Sequence, residues 1–373
     1  MTNEMPPASK VGGWKLQSQL LLGVSRTFAF TIPQLPEALQ YAVGNGYLLC
    51  RIVDTIEDDP NLSLAEKSSF FDEFLSVLNG TTDAQVFANR LHPALSERIL
   101  PEERDLIQAT PQVTELTCRL NPKQQRALIR CVTIMSRGMY EFQSRKSLDG
   151  LNDVEELSRY CYVVAGVVGE MLTDLFCDYS PTMQERRDEM MVLSICFGQG
   201  LQLTNILKDV WEDQQDGSCW LPRSVFSAEG AVLKELMHRK QSDDMTDGIS
   251  HLVGIARDNL DTALAYTKLI PKHEVGIRRF CLWAIGMAVT TLQKIQNNPG
   301  YNNGEQVKIS RPQVLTIIKT LNVALHSDWL ISAWFKFPAM GLPRSTDFVA
   351  CDPGALRKIV SNDRLIADSG SAQ

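Results

Sequence analysis

Between Gly44 and Asp59 the chain is mostly apolar as far as Arg51 and then carries four carboxylates in six residues, Asp54, Glu57, Asp58 and Asp59. An α-helix turns about 100° per residue, so Tyr47, Arg51, Asp54 and Asp58 lie within roughly 60° of one another, with Glu57 at the flank. Carboxylates crowded in this way repel one another unless a cation joins them. Hard oxygen donors suit Mg²⁺, which keeps several waters and is often completed by substrate phosphates. The competing use of such a stretch is a solvated acidic helix end.

The stretch Gln202 to Asp213 repeats the logic. Gln202, Asn205, Asp209 and Asp213 share a helical face within roughly 80°. Again a basic residue, Lys208, comes before an Asp, and carboxylates follow three and four positions on, at Glu212 and Asp213. Two such helices face to face would make an acid-walled cavity in which metals hold a diphosphate.

The pair resembles the two aspartate-rich motifs of the squalene and phytoene synthase family, the head-to-head isoprenoid synthases. Ser25-Arg26-Thr27-Phe28 resembles the family's substrate-binding start, and Tyr160 to Gly169 resembles its central signature. Glu212-Asp213-Gln214-Gln215 and Val307-Lys308-Ile309 are closer to squalene synthases than to phytoene synthases. The matches run from about residue 20 to residue 311.

The resemblance implies an all-α protein of the isoprenoid synthase type, one large helical domain over residues 14–360 with a central cavity between the two Asp-rich helices. It implies that two farnesyl diphosphates are joined head to head through presqualene diphosphate, and that NADPH then reduces the product to squalene. Dehydrosqualene and phytoene synthases omit that reduction. Rival readings are a non-catalytic relative that serves assembly, which would be expected to lose metal carboxylates, and a terpene cyclase, which would not need the Ser25-Arg26 and Tyr160 segments together.

The site residues follow from this match. Asp54, Asp58, Asp209 and Asp213 are the expected Mg²⁺ ligands, with Glu57, Glu212 and Asn205 as auxiliaries. Arg26, Arg51 and Lys208 are the expected diphosphate contacts; Arg grips phosphate bidentately, Lys as a point charge. An intrahelical pair with Asp54 or Thr55 is the alternative use of Arg51. Gln202 and Asn205 would bind diphosphate or metal-bound water, or else satisfy a neighbouring helix. Ser25 and Thr27 would touch the diphosphate, or else cap a helix. Phe28, Tyr47, Tyr160 and Phe280 are the implied cavity aromatics, against plain core use. The Tyr160 hydroxyl would steer a proton or the departing diphosphate. Asn302, Asn303, Lys308 and Arg311 would meet NADPH, against a surface loop.

Three positions depart from the family pattern. Lys208 and Ser218 stand where the family usually has Arg, which leaves Arg223 as a substitute contact for Ser218. Ser310 also stands at a basic position, and Arg311 follows one place later.

Composition sets the remaining limits. The chain has 373 residues, 44% hydrophobic and 22% charged, as expected of a globular protein with a substantial core. A net charge of −7 argues against nucleic-acid binding. Nine cysteines are scattered without a Cys-x-x-Cys or Cys/His cluster, which argues against zinc and points to a reducing compartment. Residues 1–13 and 361–373 are polar and read as flexible ends, without a signal peptide. No run approaches the roughly 18 apolar residues of a spanning helix. The expectation is a cytoplasmic protein with peripheral membrane contact and no transmembrane anchor.

Helical periodicity dominates the chain, and strand-like alternation is scarce. Helices are expected over Trp14–Leu22, Pro36–Asp58, Ser63–Leu78 with a Ser63/Glu66 capping box, Asn121–Arg145, a stretch capped by Asn152 or Asp153 and running to about Asp178, Pro181–Asp213, Met245–Lys268, Glu274–Gln296 and Arg311–Phe335. Gln85–Ala109 is broken by Pro93 and Pro101, and Asn297–Gly304 reads as a loop. The Gly44-x-Gly46 pair lacks the context of a dinucleotide fingerprint and reads as helix packing.

Overall fold

The computed structural model describes residues 9–25, 27–226, 233 and 243–345. Among them there is no strand, only an isolated bridge from Leu151 to Pro222. The chain divides into two compact units. The first holds the described residues through Ser144 together with Asp174–Gln184; the second holds Arg145–Thr173 and the described residues from Glu185 on. The expected 14–360 span covers both units and runs past the described residues.

The first unit contains α1 (Ser9–Val24), α2 (Phe28–Thr31), α3 (Glu37–Asp58), α4 (Leu64–Leu78), α5 (Ala84–Ala94), α6 (Pro101–Gln108), α7 (Thr110–Cys118) and α8 (Pro122–Gln143). The first Asp-rich helix, α3, is its centre, packed by α1, α4, α6, α7 and α8. Leu39, Ala42, Leu48, Leu49, Ile52, Val53 and Ile56 of α3 are all buried. Gly44 does what its pairing with Gly46 suggests: a Cβ there would meet Leu21 of α1 at 3.2 Å. The Asn45 amide donates to Thr117 Oγ1 at 2.6 Å and ties α3 to α7.

The expected caps form. Ser63 and Glu66 make the reciprocal box, and Asn121 accepts from the Lys123 and Gln124 amides with Pro122 at the first helical position. Two boundaries in this unit differ from expectation. α1 begins at Ser9, not Trp14, and runs through Gly13, where a Cβ would meet the Leu116 side chain of α7 at 2.8 Å. Three short helices fill 84–118, opened by Asp83, Pro101 and Pro111 as helix starts.

The second unit contains α9 (Val154–Cys161), a π turn (Tyr162–Gly166) and the start of α10 (Val167–Tyr179). After the short α11 (Pro181–Gln184) of the first unit, it continues with α12 (Arg187–Gln215), α13 (Arg223–Phe226), α14 (Asp243–Leu269), α15 (Val275–Gln296), α16 (Arg311–Ala324) and α17 (Asp328–Ala339). The second Asp-rich helix, α12, is its centre and packs on α14, α15, α9 and the π turn.

Of the two candidate caps, Asn152 and Asp153, it is Asp153 that caps the central signature, accepting from the Glu156 amide at 2.9 Å. The continuous helix expected over Asp153–Asp178 is instead interrupted by the π turn. There α12 approaches so closely that a Cβ on Gly198 would overlap the Ala165 carbonyl, and one on Gly169 the Ser194 carbonyl. Such one-turn widenings often mark functional sites. Gly198→Ala is expected to destabilise the protein by about 2 kcal/mol in urea unfolding, the overlap outweighing the gain in helix propensity.

Two other helices are split. The expected Pro181–Asp213 helix breaks at Glu185–Arg186, and α12 restarts where Asp188 and Glu189 put negative charge in its first turn. The expected Arg311–Phe335 helix breaks before Ser327, whose hydroxyl caps the Leu330 amide at 3.3 Å. Buried Arg278 takes the Leu325 carbonyl at 2.9 Å and Asp328 at 2.6 Å, which holds the break in place.

The expectation that no helix suits a membrane is corrected on length and composition alone. Val154–Tyr179, Arg187–Gln215 and Val275–Gln296 are long and apolar enough, and 67% of each apolar window is buried in the fold. A search for unbroken apolar runs passes over helices whose apolar character is diluted by small and amide residues.

Candidate active site

In the first unit, packing sorts the four carboxylates of the first motif. Asp59 is fully buried and accepts from the amides of Asn61 at 2.8 Å, Leu62 at 3.2 Å and Ser96 at 2.7 Å, so it anchors the turn after α3. Glu57 is buried and accepts from the Gln143 amide at 3.0 Å; burial first, then Asp58, pushes its carboxyl up to about 8. The Lys67 ammonium donates to the Glu57 carbonyl. Asp54 is partly exposed and Asp58 exposed. Burial, then repulsion from Asp58, pushes the Asp54 carboxyl up to about 7, with Arg51 pulling the other way. A bound cation would remove that repulsion.

Arg51 makes the intrahelical pair weighed as its alternative use, and also reaches a second helix. Its guanidinium lies 3.7 Å from Asp54 and 2.7 Å from Glu103 of α6, while its Nε is buried without a partner. Glu103 is a residue that sequence reasoning missed; its only local signal was an acidic first turn after Pro101.

The substrate-binding start is brought to this same face. Phe28 stacks obliquely on Tyr47 with ring centroids 5.0 Å apart, and the Tyr47 hydroxyl donates to the Val24 carbonyl at 3.2 Å. Burial raises the Tyr47 pKa, so the hydroxyl stays protonated. Ser25 Oγ accepts from the Phe28 amide at 2.9 Å, the capping alternative, and Thr27 is exposed. Arg26 lies outside the described residues.

In the second unit, Lys208 lies on its own neighbour, 2.5 Å from the Asp209 carboxylate. Gln202 is partly exposed and Asn205 exposed, and among the described residues neither amide has a hydrogen-bond partner. Asp213 is partly exposed. Glu212 Oε1 accepts from the Gly304 amide at 2.8 Å, whereas its buried Oε2 has no hydrogen-bond partner.

The loop expected between α15 and α16 is docked on this motif. A Cβ on Gly304 would meet Asp209 at 3.1 Å and Glu212 at 3.4 Å. Tyr301 is buried, donates to the Leu207 carbonyl and meets Trp211 edge-on at 6.2 Å. Burial, then Glu212 and Asp209, raises its pKa, which keeps the donor protonated. In the sequence Tyr301 falls within the Asn297–Gly304 loop, beside the expected cofactor residues Asn302 and Asn303, with no expected role of its own.

The other expected cofactor residues are more exposed. Asn302 accepts from Asn303 at 3.1 Å and from Gln306 at 3.2 Å; Lys308 pairs with Glu305 at 2.5 Å; Arg311 is exposed. Ser310 caps α16 by a reciprocal box with Gln313, which accounts for a hydroxyl residue there. Ser218 is buried and donates to the Asp213 carbonyl at 3.0 Å, closing the end of α12. Arg223 is exposed and bonds the Asn152 side chain.

Tyr160 is buried and stacked face to face on Trp220, with centroids 4.1 Å apart and planes 9° from parallel. Gln199 of α12 ties down α9 nearby through the Ser158 carbonyl at 2.9 Å. Phe280 is buried on α15.

Among the described residues no three His, Cys, Asp or Glu side chains converge to form a metal cage. What each motif offers is a pair of oxygen donors four residues apart, Asp54 with Asp58 and Asp209 with Asp213. The raised Asp54 carboxyl and the unpartnered Glu212 Oε2 both suit a hard divalent cation that keeps most of its water.

The model of the squalene/phytoene synthase family matches residues 21–313. The chain belongs to that family. It is 31% identical over 309 residues to "Squalene synthase ERG9" of Candida albicans, covering 80% of this chain and 65% of that protein. To the Gibberella zeae protein of the same name it is 30% identical over 277 residues, covering 74% of this chain and 57% of that one. The matched region thus spans less than two thirds of these family members. A solved structure described as TcSQS with the ligand BPH1237 shares the fold, with a TM-score of 0.73 at 22% identity over 94% of this chain and 97% of that one. The all-α family fold implied by the resemblance is therefore the fold of this chain.

Proposed function

We propose that the protein is a squalene synthase. It would join two farnesyl diphosphates to presqualene diphosphate with release of one diphosphate, then convert that intermediate to squalene with a hydride from NADPH and release of the second. The observation that carries this reading is a repeated unit. Each Asp-rich helix presents an Asp pair four residues apart, with a cation resting on the first member: Arg51 on Asp54 at 3.7 Å and Lys208 on Asp209 at 2.5 Å. The likeness to proteins named squalene synthase supports the choice of product.

Asp54, Asp58, Asp209 and Asp213 would hold Mg²⁺, with Asn205 and Glu212 as further oxygen donors. When bound, the metal would supply charge to neutralise a departing diphosphate. Arg51 and Lys208 would turn from their own carboxylates to diphosphate oxygens, and Gln202 and Asn205 have amides to offer. Phe28 and Tyr47 would shield cationic carbon with apolar faces, Phe280 would line the chain-binding region, and Tyr160, held flat on Trp220, would orient a proton or the leaving diphosphate. Arg26 would add to the diphosphate contacts. Lys308 and Arg311 are exposed cations that suit a nicotinamide cofactor's phosphates, and Asn302 and Asn303 lie on the same loop.

Mass analysis of the product from purified protein, farnesyl diphosphate and Mg²⁺ tests this directly. Squalene formed only with NADPH is the expected result. Dehydrosqualene or phytoene formed equally with and without NADPH would assign the chain to the non-reducing branch of the family.

Glu103→Gln gives a second test. It removes the charge that holds Arg51 back while keeping side-chain volume, so KM for farnesyl diphosphate is expected to change about threefold or more with kcat less affected. An unchanged KM would remove Glu103 from the site. A greasy product also suits a cytoplasmic enzyme in reversible contact with a membrane face, released by salt and carbonate washes.

A further inference from the structure

Among the described residues, exposed large apolar side chains concentrate on the last two helices. A surface helix normally turns a polar face to water. α17 buries Ile331, Phe335, Pro338 and Ala339 on one side and is apolar on the other as well. Trp329 is 75% exposed and Phe337 74%, and Met340 just past the helix is 71% exposed. Trp329, Ala333, Lys336 and Phe337 fall within roughly 100° of one another on the helix. On α16, which packs on α17 and accepts the Trp334 indole N–H at Thr320 Oγ1, Leu315, Lys319 and Val323 are exposed along one side.

Charge on this hairpin runs against the charge of the chain. The protein as a whole is at −7, yet residues 311–345 contain Arg311, Lys319, Lys336 and Arg344 against a single carboxylate, Asp328. Asp328 is already held by Arg278 at 2.6 Å and Lys272 at 3.4 Å. Arg344 is likewise held by Asp258 at 3.2 Å and Asp261 at 3.1 Å. Within the hairpin the exposed apolar stripe is therefore flanked by Lys319 and Lys336, and its one carboxylate is already paired.

We propose that the outer face of α17, with Leu315, Lys319 and Val323 of α16, docks on the surface of an anionic lipid bilayer. Trp329, Phe337 and Met340 would enter the boundary between headgroups and acyl chains, and Lys319 and Lys336 would reach lipid phosphates. At twelve residues α17 is about 18 Å long, too short to span and suited to lying in the interface. A second copy of the chain is the less suited occupant. A two-fold contact would set the same lysines against each other within a chain pair that is acidic overall. This assignment deepens the peripheral contact proposed above by naming the surface, and it stands whether or not the protein makes squalene.

The full-length protein is sedimented with phosphatidylcholine vesicles, with and without phosphatidylglycerol, at low and high salt. Binding to the anionic vesicles, weakened by salt, is expected. The double variant Trp329→Ser/Phe337→Ser should lower partitioning by about tenfold or more. Lys319→Glu/Lys336→Glu should abolish the preference for anionic lipid. Both should keep the wild-type circular dichroism, because all four side chains are exposed. Wild-type binding that neither variant changes would overturn this surface while leaving membrane contact elsewhere. Absence of any vesicle binding would overturn both. A concentration-dependent dimer that the Trp329/Phe337 variant dissociates, without vesicle binding, would give the face to a second copy.

Discussion

Asp54→Asn and Asp209→Asn are each expected to lower turnover by about a thousandfold or more, with circular dichroism and melting temperature close to wild type. The substitution keeps volume and removes charge. At Asp54 it also removes the repulsion with Asp58 that raises the carboxyl, so the metal-free protein has nothing to lose in stability. At Asp209 it releases Lys208 from its 2.5 Å partner. The measurement is kcat for diphosphate release at limiting and saturating Mg²⁺. Asp59→Ala is the contrasting variant. Asp59 accepts from three backbone amides, so its loss should appear as about 2–3 kcal/mol of stability, through orphaned buried donors. Near-normal turnover by either Asn variant at limiting Mg²⁺ would refute the reading of these helices as metal-binding.

Arg278→Met is expected to destabilise the protein by about 3–5 kcal/mol, read as a lower urea midpoint. Arg278 has no exposure, and its guanidinium holds the Leu325 carbonyl at 2.9 Å, the Ile270 carbonyl at 2.8 Å and Asp328 at 2.6 Å. Methionine fills much of the volume and leaves both buried carbonyls unpaired. The pH dependence has a definite sign. Burial pushes the Asp328 carboxyl up, but the Arg278 hydrogen bond and charge, with Lys272, bring it below its ordinary 3.8. A depressed carboxyl contributes stability above pH 3.8 that is lost as pH falls through the lower folded value. Asp328 is partly open to solvent, so this share is small and screened by salt. The acid sensitivity should be weaker in the Arg278→Met protein; equal acid sensitivity in both would remove the pair as its source.

The sequence alone was enough for the helical class, the two Asp-rich stretches and the family. These are local properties. Helix periodicity, caps such as Ser63, Asn121 and Asp153, and an i, i+4 pair of aspartates depend on residues within a few positions of one another, so they are visible before any fold is known.

Tertiary contact decided what each residue of those stretches does. Asp54, Glu57, Asp58 and Asp59 are equivalent as letters. Only the approach of the Ser96 amide makes Asp59 a turn anchor, and only Gln143 draws Glu57 inward, leaving Asp54 and Asp58 toward solvent. Glu103 reaches Arg51 from another helix, and Tyr301 and Gly304 reach the second motif from about ninety residues further along. The π turn at Tyr162–Gly166 answers to Gly198 on a different helix, and the break before Ser327 to Arg278 on another. Each of these partnerships depends on two segments meeting in space. A backbone amide or carbonyl carries no sequence signature of its own, so the choice between ligand, anchor and cap falls to the packing.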